Sequence, residues 1–290
     1  MSDLLTLYGS QEFFVREALL YPELYIGRII SGHKKLYTAV TSEGELLAEV
    51  SGKYRYQAAE AAADESSAAA LYPAVGDFVM LDRLNDSGGN GIIHRVLPRK
   101  SVFMRKAPGQ EKGAQVIAAN IDTICICMAV NYDYNLRRLE RYLSIAWESG
   151  ALPVVVLTKA DLAADIAGLL EETALIAVGA DVIAVSDRIE GSWEQLYSYV
   201  VPGKTIAFTG SSGVGKSTLI NRLAGREIAD TRELGVYEKG RHTTSRRDLI
   251  LLPGGGLVID TPGMRELGLE TADLCQSFAD IEALASRCRF

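Results

Sequence analysis

The stretch that decides the fold is Gly210-Ser211-Ser212-Gly213-Val214-Gly215-Lys216-Ser217. It matches the pattern G-x-x-x-x-G-K-[ST] at every specified position. The apolar run 205–208 before it predicts a buried strand, and residues 217–223 after it predict a helix. Glycines allow successive backbone N–H groups to face a phosphate, and the start of a helix adds partial positive charge. We therefore expect this loop and Thr218 to bind a nucleotide, with Lys216 at the terminal phosphates and Ser217 on Mg²⁺.

Composition places the chain among ordinary globular proteins. It has 290 residues, of which 48% are hydrophobic and 23% charged, so two domains fit within its length. No apolar run approaches the roughly 20 residues that a membrane-spanning helix needs, and the N-terminus lacks a signal-peptide pattern. The four cysteines form no C-x-x-C pair, which favours a reduced, cytoplasmic setting. A net charge of -7 argues against coating nucleic acid through overall attraction, although local basic patches remain able to do so.

The first third of the chain predicts a small β-barrel. Residues 1–22 form a short amphipathic lead-in, and 23–108 contain five strand-like runs: 25–30, 36–40, 46–50, 77–81 and 91–96. Ser31-Gly32-His33 and Ser42-Glu43-Gly44 are expected to be hairpin turns. Five short strands in about 80 residues suit a barrel of the OB type. The Ala-rich tract 58–70 is expected to be a flexible or weakly helical insertion.

Basic residues follow this barrel and also interrupt it. Residues 94–106 carry five lysines or arginines and no acid, and Lys53-Tyr54-Arg55-Tyr56 interleaves cations with aromatic rings. On an OB barrel, such residues hold RNA through phosphate contacts and base stacking. The alternative is a solvated linker, and these residues alone leave both interpretations open. The candidate RNA-binding residues are Lys53, Arg55, Arg95, Arg99, Lys100, Arg105 and Lys106.

The second domain, 116–271, alternates between strand and helix patterns. Apolar runs at 121–128, 153–157 and 181–185 predict buried strands, and helices are expected at 136–147, 162–173 and 193–200. Asn135 is a candidate N-cap for the first of these helices, which Gly150 should end. This alternation predicts a doubly wound, mostly parallel sheet. A last helix is expected within 272–290.

Thr158-Lys159-Ala160-Asp161 follows one of these strands and matches the guanine-recognition pattern [NT]-K-x-D. A carboxylate at Asp161 accepts hydrogen bonds from the N1–H and the exocyclic amine of guanine. Adenine has neither donor in that place, so the buried acceptor would stay unpaired. The stem of Lys159 can cover the base, and Ser186 lies where a short loop would back the guanine carbonyl. The sequence therefore favours GTP and argues against an ATPase or kinase.

Two further motifs predict a switch. Asp260-Thr261-Pro262-Gly263 follows an apolar run, so Asp260 is a candidate for holding Mg²⁺ and Gly263 for sensing the γ-phosphate. Thr243 or Thr244 is the candidate switch threonine on Mg²⁺. Met264 stands where many GTPases place a water-orienting glutamine. His242 is the best internal candidate for that task, and a surface histidine that contacts RNA or nothing is an equal alternative.

The order of the motifs is reversed from that of most GTPases, since T-K-A-D precedes the phosphate loop, and the domain therefore has a circularly permuted pattern. The barrel, the permuted motifs, G-R-H-T-T, D-T-P-G and the linking L-P-R-K-S together resemble the ribosome small-subunit-dependent GTPase A family (RsgA, also called YjeQ). This resemblance implies an OB-type barrel followed by a circularly permuted P-loop GTPase domain. It also implies a cytoplasmic, monomeric enzyme that binds the 30S subunit and 16S rRNA late in assembly, and hydrolyses GTP with Mg²⁺ when that subunit stimulates it.

The sequence departs from the family at its C-terminus. Members carry a zinc-binding region of the form C-x4-C-x-H-x5-C, and here only Cys288 resembles its first ligand before the sequence stops at Phe290. One cysteine cannot hold zinc, because structural sites use about four ligands. We interpret the sequence as truncated in this region. Two rival functions stay open: a nucleotide-gated rRNA adaptor whose hydrolysis is incidental, and a GTPase of large-subunit assembly.

Overall fold

The structure is a computed structural model that describes residues 4–33, 36–61, 71–106, 114–131, 133–227 and 248–260. Within these ranges the side chains of residues 61, 105, 106, 114, 115 and 260 are not described. In the part of the chain that is described, no helix is both long and apolar enough to cross a bilayer.

The N-terminal part is a closed five-stranded barrel, as the sequence predicts, and the lead-in before it forms two short helices. The helices are α1 (Leu4–Leu7) and α2 (Glu12–Ala18), and the strands are β1 (Tyr25–His33), β2 (Leu36–Val40), β3 (Glu45–Val50), β4 (Phe78–Leu81) and β5 (Gly91–Val96). The strands pair in the order β1-β2-β3-β5-β4, and β4 returns to β1 to close the barrel. Alternate apolar residues of these strands fill its interior, including Ile29, Leu46 and Ile93. Closure removes the open edges that a flat five-stranded sheet would leave.

Two details of the barrel differ from the expectation. Ser31, Gly32 and His33 are not a turn but the end of β1, paired with β2 after a bulge next to Ile29. Their turn-forming residue types are overridden because the neighbouring strand offers hydrogen-bond partners. Residues 52–61 form helix α3 (Gly52–Ala61), which contains Lys53 and Arg55 and extends into the start of the predicted insertion at 58–70.

The basic segment after the barrel is not a simple linker. Strand β6 (Val102–Lys106) pairs antiparallel with β7 (Ala114–Ala119) in a separate two-stranded ribbon. Phe103 and Ile117 of this ribbon are buried in the main hydrophobic core. The ribbon therefore packs as part of the domain that follows.

The second domain has the doubly wound sheet that the alternating pattern predicts. Its strands are β8 (Thr123–Ala129), β9 (Leu152–Thr158), β10 (Asp181–Val185), β11 (Thr205–Gly210), β12 (Asp248–Leu251) and β13 (Leu257–Asp260). They lie in the order β10-β9-β8-β11-β13-β12, with only β12 antiparallel among these described strands. Apolar clusters cover both faces, which explains why the parallel strands are continuous apolar runs.

The helices of this domain follow their local signals. They are α4 (Leu136–Ser149), α5 (Ile166–Ile176), α6 (Glu194–Tyr197) and α7 (Lys216–Ala224). The Asn135 side chain accepts a hydrogen bond from the Arg138 N–H, and Gly150 ends α4 in the left-handed conformation at φ 84°, as predicted. The helix expected from residue 162 begins later, because Ala160–Leu162 is a separate 3-10 turn and Asp165 caps α5.

The barrel and the second domain are joined through one continuous sheet of eleven described strands. Strand β1 of the barrel pairs antiparallel with β12, with Ser31 opposite Asp248. Beside this junction, Gly76 has φ +92°, and a Cβ there would lie 2.0 Å from the Ala119 carbonyl oxygen. A backbone approach this close is possible only for glycine, and it brings the segment before β4 against the end of β7.

Candidate functional site

The phosphate loop lies where the sequence places it, between buried strand β11 and helix α7. Its backbone turns through positive φ at Gly210 (137°), Gly213 (78°) and Gly215 (99°). A Cβ at Gly210 would lie 2.2 Å from the carbonyl oxygen of Cys127 on the paired strand β8, so this position admits only glycine. A Cβ at Gly213 or Gly215 would meet nothing within 4 Å, so these two glycines serve the backbone conformation alone.

Lys216 is buried at the start of α7, with 6% of its surface exposed. Its Nζ donates to the carbonyl oxygens of Gly210 (2.6 Å) and Ser211. The ammonium group is therefore held over the loop, where it meets any phosphate that the N–H groups bind. Ser217, half-buried, follows it, and the exposed Thr218 is one residue further along the helix.

The predicted base-recognition motif touches the phosphate loop directly. The Thr158 hydroxyl donates to the Val214 carbonyl oxygen at 2.7 Å, and Lys159 Nζ donates to the Gly213 carbonyl oxygen at 2.9 Å. Lys159 adopts φ 56°, a left-handed conformation, at the start of the following 3-10 turn. The loop for the base and the loop for the phosphates thus form one connected surface, with Ala160 buried beneath it.

Asp161 is presented by that 3-10 turn and is held by Ser186. The Ser186 hydroxyl donates to Asp161 Oδ1, and Arg188 Nη1 lies 3.7 Å from Asp161 Oδ2. Ser186 itself is buried and exchanges hydrogen bonds with Ser192 Oγ, which accepts from its N–H and donates to its carbonyl oxygen. A carboxylate in this position keeps lone pairs for two further donors, which is what recognition of a guanine edge requires.

The residues predicted for Mg²⁺ and for the switch are only partly within the described chain. Asp260 is the last residue of β13, which runs parallel to β11 in a register that pairs Ala207 with Ile259. Its backbone thus lies at the edge of the sheet from which the phosphate loop emerges. His242, Thr243, Thr244, Gly263 and Cys288 lie outside the described residues.

The candidate RNA-binding residues do not form one uniform surface. Lys53 and Arg55 are exposed on α3, and Arg95 of β5 donates to Gln57 Oε1 of the same helix at 3.1 Å. Lys100 instead packs against the lead-in, with Nζ about 5 Å from the ring centres of Phe13 and Phe14. The side chains of Arg105 and Lys106 are not among those described.

Arg99 pairs with a buried carboxylate of the barrel. Its guanidinium makes two hydrogen bonds to the buried carboxylate of Asp77, at 2.8 and 2.7 Å, and a third to the Tyr72 carbonyl oxygen. Only 14% of the Arg99 side chain is exposed. A guanidinium committed to a buried carboxylate has few donors left for a phosphate, so the structure gives Arg99 mainly a structural part.

Sequence reasoning overlooked three residues at the outer side of the base-recognition loop. Arg222 of α7 lies with its guanidinium carbon 4.6 Å from the ring centre of Trp193, and its Nη1 lies 3.1 Å from Asp187 Oδ1. Asp187 directly follows Ser186. No short motif contains these three residues, because they meet only after the helix and the loop pack together.

Comparisons with known proteins agree with this geometry. The family model described as RsgA GTPase matches residues 96–270. A protein of Lactiplantibacillus plantarum, named small ribosomal subunit biogenesis GTPase RsgA 2, is 50% identical over 266 residues, covering 91% of this chain and 72% of its own. A protein of Opitutus terrae, named small ribosomal subunit biogenesis GTPase RsgA, is 42% identical, with 91% and 72% covered.

Two solved structures share the fold. The crystal structure of YjeQ from Thermotoga maritima aligns with a TM-score of 0.61 at 27% identity, covering 84% of this chain and 76% of that one. The structure of YloQ, described as a circularly permuted GTPase, aligns with a TM-score of 0.60 at 22% identity, covering 92% and 82%. With its barrel, its permuted motif order and its connected base and phosphate loops, this chain belongs to the RsgA GTPase family of GTP-hydrolysing enzymes.

Proposed function

We propose that this protein binds the small ribosomal subunit and hydrolyses GTP to GDP and phosphate during late maturation of that subunit. The observation that carries the proposal is the direct contact between the T-K-A-D motif and the phosphate loop, through Thr158 and Lys159, on a sheet that continues into the barrel. The names of the relatives, which refer to biogenesis of the small ribosomal subunit, support the choice of partner. On this proposal the protein works in the cytoplasm as a monomer, on 16S rRNA.

Each part of the site has a separate task in this reaction. The loop N–H groups and Lys216 hold the phosphates, and their positive charge stabilises the negative charge that develops during phosphoryl transfer. Asp161 reads the guanine edge. Ser217 and Asp260 offer the hydroxyl and carboxylate oxygens that Mg²⁺ prefers, and Thr243 or Thr244 would complete that set. When bound, Mg²⁺ neutralises phosphate charge.

Zinc does not fit the described residues. Among them, no group of three or more His, Cys, Asp or Glu side chains could hold a metal ion. Cys125 and Cys127 lie buried in β8, and burial raises the pKa of both thiols, so neither is poised as a thiolate ligand. Cys288, the residue that resembles a zinc ligand of the family, lies outside the described residues.

RNA binding is assigned to the exposed cations around α3. Lys53 and Arg55 are exposed on the same helix as Tyr56, which is 69% exposed and can stack on a base, and Arg95 contacts that helix through Gln57. Arg105 and Lys106 follow on the β6–β7 ribbon. His242 is proposed as the residue that positions the attacking water, since Met264 cannot do so.

The decisive measurement is GTP turnover with and without purified 30S and 50S subunits. We expect stimulation by the 30S subunit alone. Absence of any stimulation would favour an rRNA adaptor with incidental hydrolysis, and dependence on 50S would favour a role in large-subunit assembly. The His242→Ala variant should lose stimulated turnover at unchanged GDP affinity, and unchanged turnover would reject the role of His242.

A further inference from the structure

The loop that carries Ser186 is held in place by contacts on two sides. On its inner side, Ser186 bonds to Asp161 and the Arg188 N–H donates to Ser186 Oγ at 3.0 Å. Ser192 closes the loop by bonding to both the N–H and the carbonyl oxygen of Ser186. The position of the guanine-reading carboxylate therefore depends on the position of this loop.

The contacts on the outer side come from α7, the helix that begins in the phosphate loop. Arg222, six residues after Lys216 on α7, extends across to the 186–193 loop, stacks over Trp193 and pairs with Asp187. Trp193 is 6% exposed and packs in the same core cluster as Leu219 and Leu223 of that helix. The indole thus belongs to the shared core of helix and loop, and it gives the guanidinium a fixed surface.

The stacking distinguishes this pair from an ordinary surface ion pair. The side chains of Arg222 and Asp187 are 47% and 52% exposed, and exposed pairs contribute little when both partners are mobile. A guanidinium that already lies over an indole ring, here 4.6 Å from the ring centre, loses less side-chain freedom when it forms its hydrogen bond. The geometry therefore favours a fixed link between α7 and Asp187.

We propose that Arg222 is a positioning residue for guanine specificity. It holds Asp187 and Trp193 against the phosphate-loop helix, and through the adjacent Ser186 it fixes the orientation of Asp161. Phosphate binding and base recognition are thereby kept in one rigid unit. This inference rests on the proposed role of Asp161 as the guanine-reading residue.

The test compares GDP with IDP, whose hypoxanthine base lacks the exocyclic amine of guanine. In the wild-type protein the ratio of the two dissociation constants measures the hydrogen bond between that amine and Asp161. We expect Arg222→Met to weaken GDP binding about 3- to 10-fold and IDP binding about 2-fold or less, so that the ratio shrinks. Asp187→Asn should shift the ratio in the same direction, and Arg222→Lys should restore part of it, because a lysine keeps the charge but not the planar stacking.

Arg137→Met is the matched control, since Arg137 forms an exposed pair with Glu140 within a different helix, α4. It should change neither dissociation constant. An equal loss of affinity for GDP and IDP in Arg222→Met would overturn the inference, because a merely structural residue would affect both nucleotides alike. Unchanged affinity for both nucleotides would also overturn it, because Arg222 would then have no effect on the base site.

A separate experiment tests the proposed role of Asp161 in reading the guanine base. Asp161→Asn should exchange guanine preference for xanthine preference, because xanthine carries a carbonyl oxygen where guanine carries the amine, and an asparagine amide can donate to it. If Asp161→Asn leaves guanine preference intact, the assignment of the base site is wrong. If Asp161→Asn behaves as expected and the Arg222→Met ratio stays unchanged, only the positioning role of Arg222 is wrong.

Discussion

Replacing Arg28 should weaken the whole protein, because this buried arginine joins four of its parts. Its side chain is 1% exposed. It donates to the carbonyl oxygens of Tyr8 (2.6 Å), Gly76 (3.2 Å) and Asn120 (3.2 Å), and to the hydroxyl of Thr205 (2.8 Å). These acceptors belong to the lead-in, the barrel, the junction after β7 and the start of β11, which carries the phosphate loop.

The magnitude follows from what Arg28→Met would leave behind. Burial lowers the pKa of Arg28 to about 10, and nearby Asp122 and Asp77 offset part of that effect, so the group stays charged at neutral pH. The Gly76 carbonyl oxygen also accepts from the Asn120 side chain and keeps a partner. The other three acceptors lose a charged donor, and each such bond is worth about 1.5–3 kcal/mol. The avoided cost of burying a charge offsets part of this sum, so we expect a loss of about 3–5 kcal/mol in the free energy of unfolding.

Urea unfolding at pH 7.5 measures this loss. Both tryptophans, Trp147 and Trp193, lie in the second domain, so their fluorescence reports that domain alone, whereas far-ultraviolet circular dichroism reports the whole chain. In the wild type the two transitions should coincide, and in Arg28→Met they should separate as the barrel loosens.

Two further variants serve as a surface control and as a milder test of the same contact. Arg83→Met removes an arginine from the barrel surface, where it pairs with Asp82, and should leave the midpoint unchanged. Thr205→Val removes a single acceptor of Arg28 while preserving shape, and should cost about 1–2 kcal/mol even if Arg28→Met does not fold. A loss below about 1 kcal/mol in Arg28→Met, with coincident transitions, would refute the reasoning.

Three other predictions concern single positions. Gly210→Ala should abolish nucleotide binding and lower the urea midpoint, because its Cβ would meet the Cys127 carbonyl oxygen at 2.2 Å, whereas Gly213→Ala has open space and should cost only the strain of its positive φ, about 1–2 kcal/mol. Burial raises the pKa of Cys127 to about 12 and that of Cys125 well above its usual value, so both thiols should resist alkylation at pH 8 until urea unfolds the protein, as peptide mass spectrometry would show. Asn135→Ala should lower the unfolding free energy by about 1 kcal/mol through loss of the N-cap of α4, while Asn135→Ser should retain most of it.

Local signals in the sequence predicted much of this fold. The phosphate loop, the buried parallel strands, the cap at Asn135 and the stop at Gly150 are determined by residues a few positions apart. Such features depend on neighbouring residues and not on distant contacts, and the structure confirms them at the predicted positions. The connected base and phosphate loops could be expected from the motifs T-K-A-D and G-x-x-x-x-G-K-S, although not the individual bonds from Thr158 and Lys159.

Long-range pairings account for most of what sequence reasoning missed. Strand β12 and the β6–β7 ribbon are short, and their partners are distant or separated by a loop, so no periodicity marks them. Arg28 lies in a strand pattern where a cation would be expected to face solvent, and Arg99 in a basic run that suggested RNA. Both are buried because acceptors from other parts of the chain surround them.

The sheet explains why a reversed motif order still builds one site. Strand β11 lies between β8 and β13, and β9 and β10 follow on the far side of β8. All five are parallel, so their carboxyl ends, with Asp161, Ser186, the phosphate loop and Asp260, meet at one edge whatever their order along the chain. At the other side of the sheet, β12 pairs with β1, and the barrel attaches there. An open edge there would invite pairing with another chain, and the barrel covers it while lying directly beside the strand that follows the predicted switch threonines.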